Sequence, residues 1–292
     1  MTSAPTDLDG TPRSPYASSA APGSPRAAWA LAIGCWILAA AALVLFFSSY
    51  APGSTFAEDW PFVFTDATMA GVYGTVAAVV LARRRHVVAV FLIVAAVGGG
   101  LAAFGAGWRQ AVLVGRLPAA PAIEVLYGSA WVPGTLSLFL VVPWLVRERV
   151  TPRAWLGAAA GLVVVVAFIM LPALVPDPGA AVAGLTAVAI AGGLATAAGV
   201  EHRRRGSGPG EREGLGWLAF GTAMMALSFL PLLLPYGVLP MWIVPALHLA
   251  CQSVFPAAIL VVVLRQRLWG LELAVSRATV AATLAVLLLG LY

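Results

Sequence analysis

Residues 62–108 read FVFTDATMAGVYGTVAAVVLARRRHVVAVFLIVAAVGGGLAAFGAGW, two apolar runs hinged on the triplet Arg83-Arg84-Arg85. A bilayer core about 30 Å thick is crossed by roughly 20 helical residues at 1.5 Å each, so each run is long enough for one span. Working outward in both directions, runs of the same kind cover 27–47, 124–146, 154–175, 180–200, 215–235 and 241–264. A ninth starts near Ala278 and reaches the last residue. The sequence therefore predicts an all-α, polytopic transmembrane helix bundle of eight full spans plus a truncated ninth.

Composition agrees. The chain is 61% hydrophobic and 10% charged, where a soluble domain carries about 25% charged residues. The net charge of +5 is read as membrane orientation rather than as nucleic-acid binding, because cytoplasmic loops collect basic residues. All seventeen basic residues are arginine, and fifteen of them fall in alternate gaps. These are Arg13 and Arg26; Arg83–Arg85; Arg147, Arg149 and Arg153; Arg203–Arg205 and Arg212; and Arg265, Arg267 and Arg277. Only Arg109 and Arg116 lie on the other side, with Glu58, Asp59, Asp66, Glu124 and Asp177. The expectation is a multi-pass protein of the plasma membrane with a cytoplasmic N-terminus. Trp29, Trp155, Trp217, Trp144, Trp108 and Trp242 fall at span ends, where amphipathic rings favour the interface.

Four regions follow. Residues 1–26, rich in Pro, Ser and Ala, read as a disordered cytoplasmic tail. Residues 27–264 are the eight-helix bundle, 265–277 a cytoplasmic amphipathic connector, and 278–292 the start of the ninth helix. The chain closes on Leu287-Leu-Leu-Gly-Leu-Tyr292 without charge or turn. Helices do not normally stop midway through hydrocarbon, so the expectation is that a longer protein continues from here.

Soluble-type catalytic signatures are absent: there is no P-loop, Cys-x-x-Cys, His-Glu-x-x-His or Gly-x-Ser-x-Gly pattern. Cys35 and Cys251 lie inside runs and read as small apolar core residues. No metal site and no catalytic residue is expected in this chain. His86 and His202 lie beside arginine clusters and read as loop residues.

His248, Gln252 and Pro256 share one face of the eighth helix at i, i+4 and i+8. Pro256 has no N–H to give the Gln252 carbonyl, which loses its helical partner. Two readings are open: a ligand-sensing site on a loosened polar face, or hydrogen bonds across to Ser228, Thr222 or another helix. Gly157-x-x-x-Gly161 and the glycines of the third helix read as close helix contacts within one chain. Arg109 and Glu124 are placed to pair across a turn, and Ser48–Asp66 is the longest loop on their side.

The run Leu264-Arg-Gln-Arg-Leu-Trp-Gly-Leu-Glu-Leu-Ala-Val-Ser-Arg-Ala-Thr-Val280 resembles the juxtamembrane stretch of multi-spanning actinobacterial sensor histidine kinases. Leu81-Ala-Arg-Arg-Arg-His86 and Trp131-Val-Pro-Gly-Thr-Leu136 fit the same pattern more loosely, while Val146-Arg-Glu-Arg-Val150 stands where the family has a Pro-Asp-Gly-Arg run. The resemblance implies a membrane signal-input region, with Arg265, Arg267, Trp269, Glu272 and Arg277 transmitting the signal. It implies a homodimer in the lipid bilayer, a kinase domain using ATP and Mg, and a response regulator as partner. No such kinase domain, and hence no cofactor site, is written in these 292 residues. The competing expectation is a small secondary transporter or channel, which would need charged residues or broken helices inside the spans. An integral membrane enzyme would need an acid–base or ligand cluster that His248 alone does not make.

Overall fold

The computed structural model describes residues 24–51, 56–83, 86–146, 151–175, 179–234, 238–240 and 242–264. In chain order the helices are α1 (Pro25–Ser48), α2 (Phe56–Arg83), α3 (Val88–Leu113), α4 (Pro121–Ser129), α5 (Trp131–Leu140), α6 (Val142–Leu145), α7 (Pro152–Leu174), α8 (Gly179–Gly206), α9 (Pro209–Leu227) and α10 (Ile243–Leu264). A 3₁₀ turn, Leu230–Leu233, follows α9. Among the described residues there is no strand, and eight spans are long and apolar enough to cross a membrane. The chain is an all-α multi-pass bundle. The ninth span and the connector lie outside the described residues.

Local chemistry sets the helix ends. Proline occupies the first turn of α1, α4, α7 and α9, where its missing N–H costs nothing. Thr151 caps α7 by accepting the Ala154 N–H at 3.3 Å. Glu58 and Asp59 sit in the first turn of α2, and Arg203–Arg205 in the last turn of α8, each matching the helix dipole. Helix α3 ends at Gly115 with φ 74°. The Arg116 N–H reaches Ala111 O at 2.8 Å and the Gly115 N–H reaches Val112 O at 2.9 Å, the paired bonds of a Schellman stop.

The fourth span is the central post. Val132 and every residue from Gly134 to Leu140 are buried, and α5 touches α3, α7, α8 and α9. Helices α1, α2 and α3 pack on one another, α9 packs on α8 and α10, and α10 returns to α2. Small residues permit these approaches. A Cβ on Gly134 would stand 2.3 Å from Ala95 Cα, and one on Gly161 would stand 2.6 Å from Leu140 O. The Gly157–Gly161 pair thus serves contact within the chain, with Gly157 lying against the Trp144 ring.

The outer surface is apolar where a soluble bundle would be polar. On α1 the buried positions are Ala28, Ala32, Cys35, Ala39, Ala42 and Phe46, a stripe spaced alternately four and three. Ile33, Ile37, Val44 and Phe47 point outward, as do Leu156, Val163, Val166, Met170 and Leu174 on α7. Lipid is the solvent that such a surface requires, since every mid-span backbone group must find its partner inside the protein.

Several boundaries differ from the sequence reading. Pro25 and Arg26 belong to α1 rather than to the tail. Helix α2 starts at Phe56, so Glu58, Asp59 and Asp66 are helical rather than loop residues. The fourth span breaks at Ala130 and Val141, because Pro133 and Pro143 cannot donate to the carbonyls four residues before them. Pro231 likewise removes the donor for the Leu227 carbonyl, and α9 ends there.

Candidate functional site

Helices α2 and α10 touch through polar groups at two levels inside the bundle. Near the arginine-poor end, Thr65 Oγ1 lies 2.9 Å from Pro61 O and 3.3 Å from Pro245 O. Deeper, the Tyr73 hydroxyl donates to Gln252 O at 3.2 Å. Seven residues separate Pro245 from Gln252 and eight separate Thr65 from Tyr73, so the two helices run parallel in matching register. Helix α10 continues unbroken through Pro256. The carbonyl that Pro256 leaves without an N–H is the one Tyr73 serves, which keeps a bare acceptor out of the core.

His248 lies between these two levels. Its ring stands edge-on to Phe229 with centroids 4.6 Å apart, and it lies near the Ser228 carbonyl. That carbonyl is available because α9 has just ended: the Leu232 N–H goes to Phe229 O at 3.0 Å instead. Phe229 in turn packs on Trp131 and Phe139, centroids 6.2 and 5.4 Å apart. Thr222 and the Ser228 hydroxyl bond within their own stretch of chain, to Leu218 O and Met225 O.

Asp66 is the residue that sequence reasoning misplaced. It sits ten residues into α2, roughly 15 Å along the helix. Val63, Thr65, Met69, Ala70 and Tyr73 around it are buried, yet Asp66 itself is half-buried. Among the described residues no cation or donor reaches its carboxylate. One signal could have found it: Asp66 and Tyr73 are spaced i, i+7, one face of a helix, in the middle of an apolar run.

A second polar group closes the arginine-poor end. Arg109 of α3 lies 3.8 Å from Asp59 and 4.0 Å from Glu124, with its guanidinium 5.0 Å from the centre of the Tyr127 ring. Tyr127 Oη donates to Asp59 Oδ1 at 3.1 Å, and Arg116 donates to the Ser48 carbonyl. The pairing of Arg109 with Glu124 is present, at the limit of ion-pair contact, and Asp59 is the nearer partner. At the opposite end Arg203 donates to Pro143 O at 3.1 Å and Val146 O at 3.2 Å. Glu201 pairs with Arg204 at 2.6 Å and Arg205 at 3.2 Å.

The other histidines are accounted for locally: His86 Nδ1 accepts the Val88 N–H at 3.2 Å, and His202 is exposed. Among the described residues no group of three His, Cys, Asp or Glu side chains could hold a metal ion. Of the sequence-predicted residues, Gln252 meets α2 through its carbonyl and His248 packs on Phe229, whereas Arg265, Arg267, Trp269, Glu272 and Arg277 lie outside the described residues. Set against protein-family models, curated proteins and solved structures, the chain matches none.

Proposed function

We propose that this chain is the signal-input region of a two-component sensor histidine kinase, set in the plasma membrane with its N-terminus cytoplasmic. It passes a stimulus to a cytoplasmic kinase domain that uses ATP and Mg and hands its phosphoryl group to a response regulator. The observation that carries the reading is the Leu264–Val280 run with Arg265, Arg267, Trp269, Glu272 and Arg277. The arrangement of α10 supports it. This helix bears the polar face with His248, Gln252 and Pro256, and its last residue, Leu264, is the first of that run. A shift of α10 against α2 therefore moves the connector directly. Homodimerisation belongs to the same reading.

A transporter is the second reading, favoured by Asp66 inside α2 and by two interrupted spans. Transporters place such features at corresponding positions of two halves. Here the interrupted spans are the fourth and the seventh, which do not correspond in a four-plus-four division.

The test is phosphotransfer. The reading frame beyond codon 292 is expected to encode a phosphoacceptor and an ATP-binding domain. The full product in vesicles should autophosphorylate on histidine, and alanine at Arg265, Arg267 and Trp269 should uncouple its rate from the stimulus. Solute flux through proteoliposomes of the 292-residue chain, with no kinase encoded downstream, would overturn the reading in favour of transport.

A further inference from the structure

Asp66 and His248 share one unusual property. Each keeps open surface beside buried neighbours: Thr65 is 6% exposed and Tyr73 1% on α2, Leu249 4% and Gln252 6% on α10. The contacts Thr65–Pro245 and Tyr73–Gln252 clamp the helices above and below, about 12 Å apart at 1.5 Å per residue. Asp66 lies one residue below the upper clamp and His248 three residues below it, so the two differ in depth by about one helical turn or less. Asp66 thus lies where α2 meets α10, and His248 lies beside Phe229, just past the end of α9.

We propose that a crevice where α2 meets α10, beside the broken end of α9, binds a small organic cation through a primary ammonium group, with Asp66 as its counter-ion. A carboxylate without a partner inside a membrane bundle calls for a positive charge, and among the described residues the protein supplies none. Gln252 is nearly buried, and among the described residues nothing hydrogen-bonds its side-chain amide, leaving its Oε1 free to accept. An ammonium can donate both to the carboxylate and to that oxygen. Phe229, stacked on Trp131, provides an aromatic wall beside His248, the surroundings that favour an organic cation. This deepens the sensing reading and rests on it for its purpose, while the binding itself does not.

The experiment uses the whole 292-residue chain in lipid nanodiscs, titrated by calorimetry with primary amines from methylamine to phenethylamine, and with phenethyl alcohol as a neutral counterpart. At least one amine should bind and the alcohol should not. Asp66→Asn should weaken amine binding by about tenfold or more, as expected on losing a charged partner. Gln252→Leu keeps the carboxylate and should weaken it less. Thermal unfolding of each variant establishes that it is folded. Equal binding of amine and alcohol, affinity untouched by Asp66→Asn, sodium alone occupying the site, or no amine bound at all would each overturn the proposal. The last result would leave the phosphotransfer test of the signalling reading unaffected.

Discussion

Tyr73 shows how a single side chain repairs a backbone defect that lipid would leave open. Pro256 strips the Gln252 carbonyl of its helical donor, and the hydroxyl 3.2 Å away replaces it. Tyr73→Phe should destabilise the bundle by about 0.6–1.5 kcal/mol, the worth of one such bond. In a Pro256→Ala background the same change should cost less than half as much, because the alanine returns a backbone N–H to that carbonyl. Unfolding in mixed detergent micelles measures both losses, and equal values would assign Tyr73 to packing alone. The defect was legible in the sequence from Pro256, but its remedy was not. Tyr73 lies 179 residues away on α2, and no local spacing joins the two. Asp66 was missed for a related reason. Hydropathy weighs a side chain against lipid, whereas α2 is mostly enclosed by protein and its polar residues answer to α10.

At the scale of elements, the apolar runs located all eight spans, because length and hydropathy are what a bilayer selects. They did not reveal which spans are interrupted. Pro133, Pro143 and Pro231 were visible, but proline can also sit in a continuous membrane helix, as Pro61 and Pro256 do here. The difference lies in what takes the released carbonyls. Carbonyls at a helix end need the same care, and at the end of the fourth span Arg203 of α8 donates to Pro143 O and Val146 O. A planar guanidinium can span two acceptors with fixed geometry, and an ammonium cannot. Arg203→Ala should therefore cost about 1.5–3 kcal/mol, the range for charged hydrogen bonds. Arg203→Lys should recover less than half of the loss. Arg205→Ala, which removes only a solvent-facing ion pair, should stay within about 1 kcal/mol. Indistinguishable unfolding of the Arg203 and Arg205 variants would mean that the fourth span is held by its apolar contacts alone.

For the whole molecule, orientation is the property on which any signalling role depends, and it follows from where arginine can go. An arginine at the centre of a span costs about 2.5–3.5 kcal/mol on insertion scales, so a triplet resists translocation. Two triplets mark the same end of the bundle: one begins at Arg83, the last residue of α2, and the other, Arg203–Arg205, fills the last turn of α8. That end should face the cytoplasm. The native thiols offer a quiet background for a direct test, since Cys35 and Cys251 are both buried. Two single cysteines then read the two faces: Leu113→Cys, exposed at the arginine-poor end of α3, and Ser207→Cys, just beyond α8. A membrane-impermeant maleimide added to intact cells should label position 113 and leave position 207 unmodified until the membrane is permeabilised. The reverse pattern would put the proposed Asp66 site, which lies nearer the arginine-poor end of α2, toward the cytoplasmic side. It could then sample only internal ligands, and α10 would have to carry its signal outward.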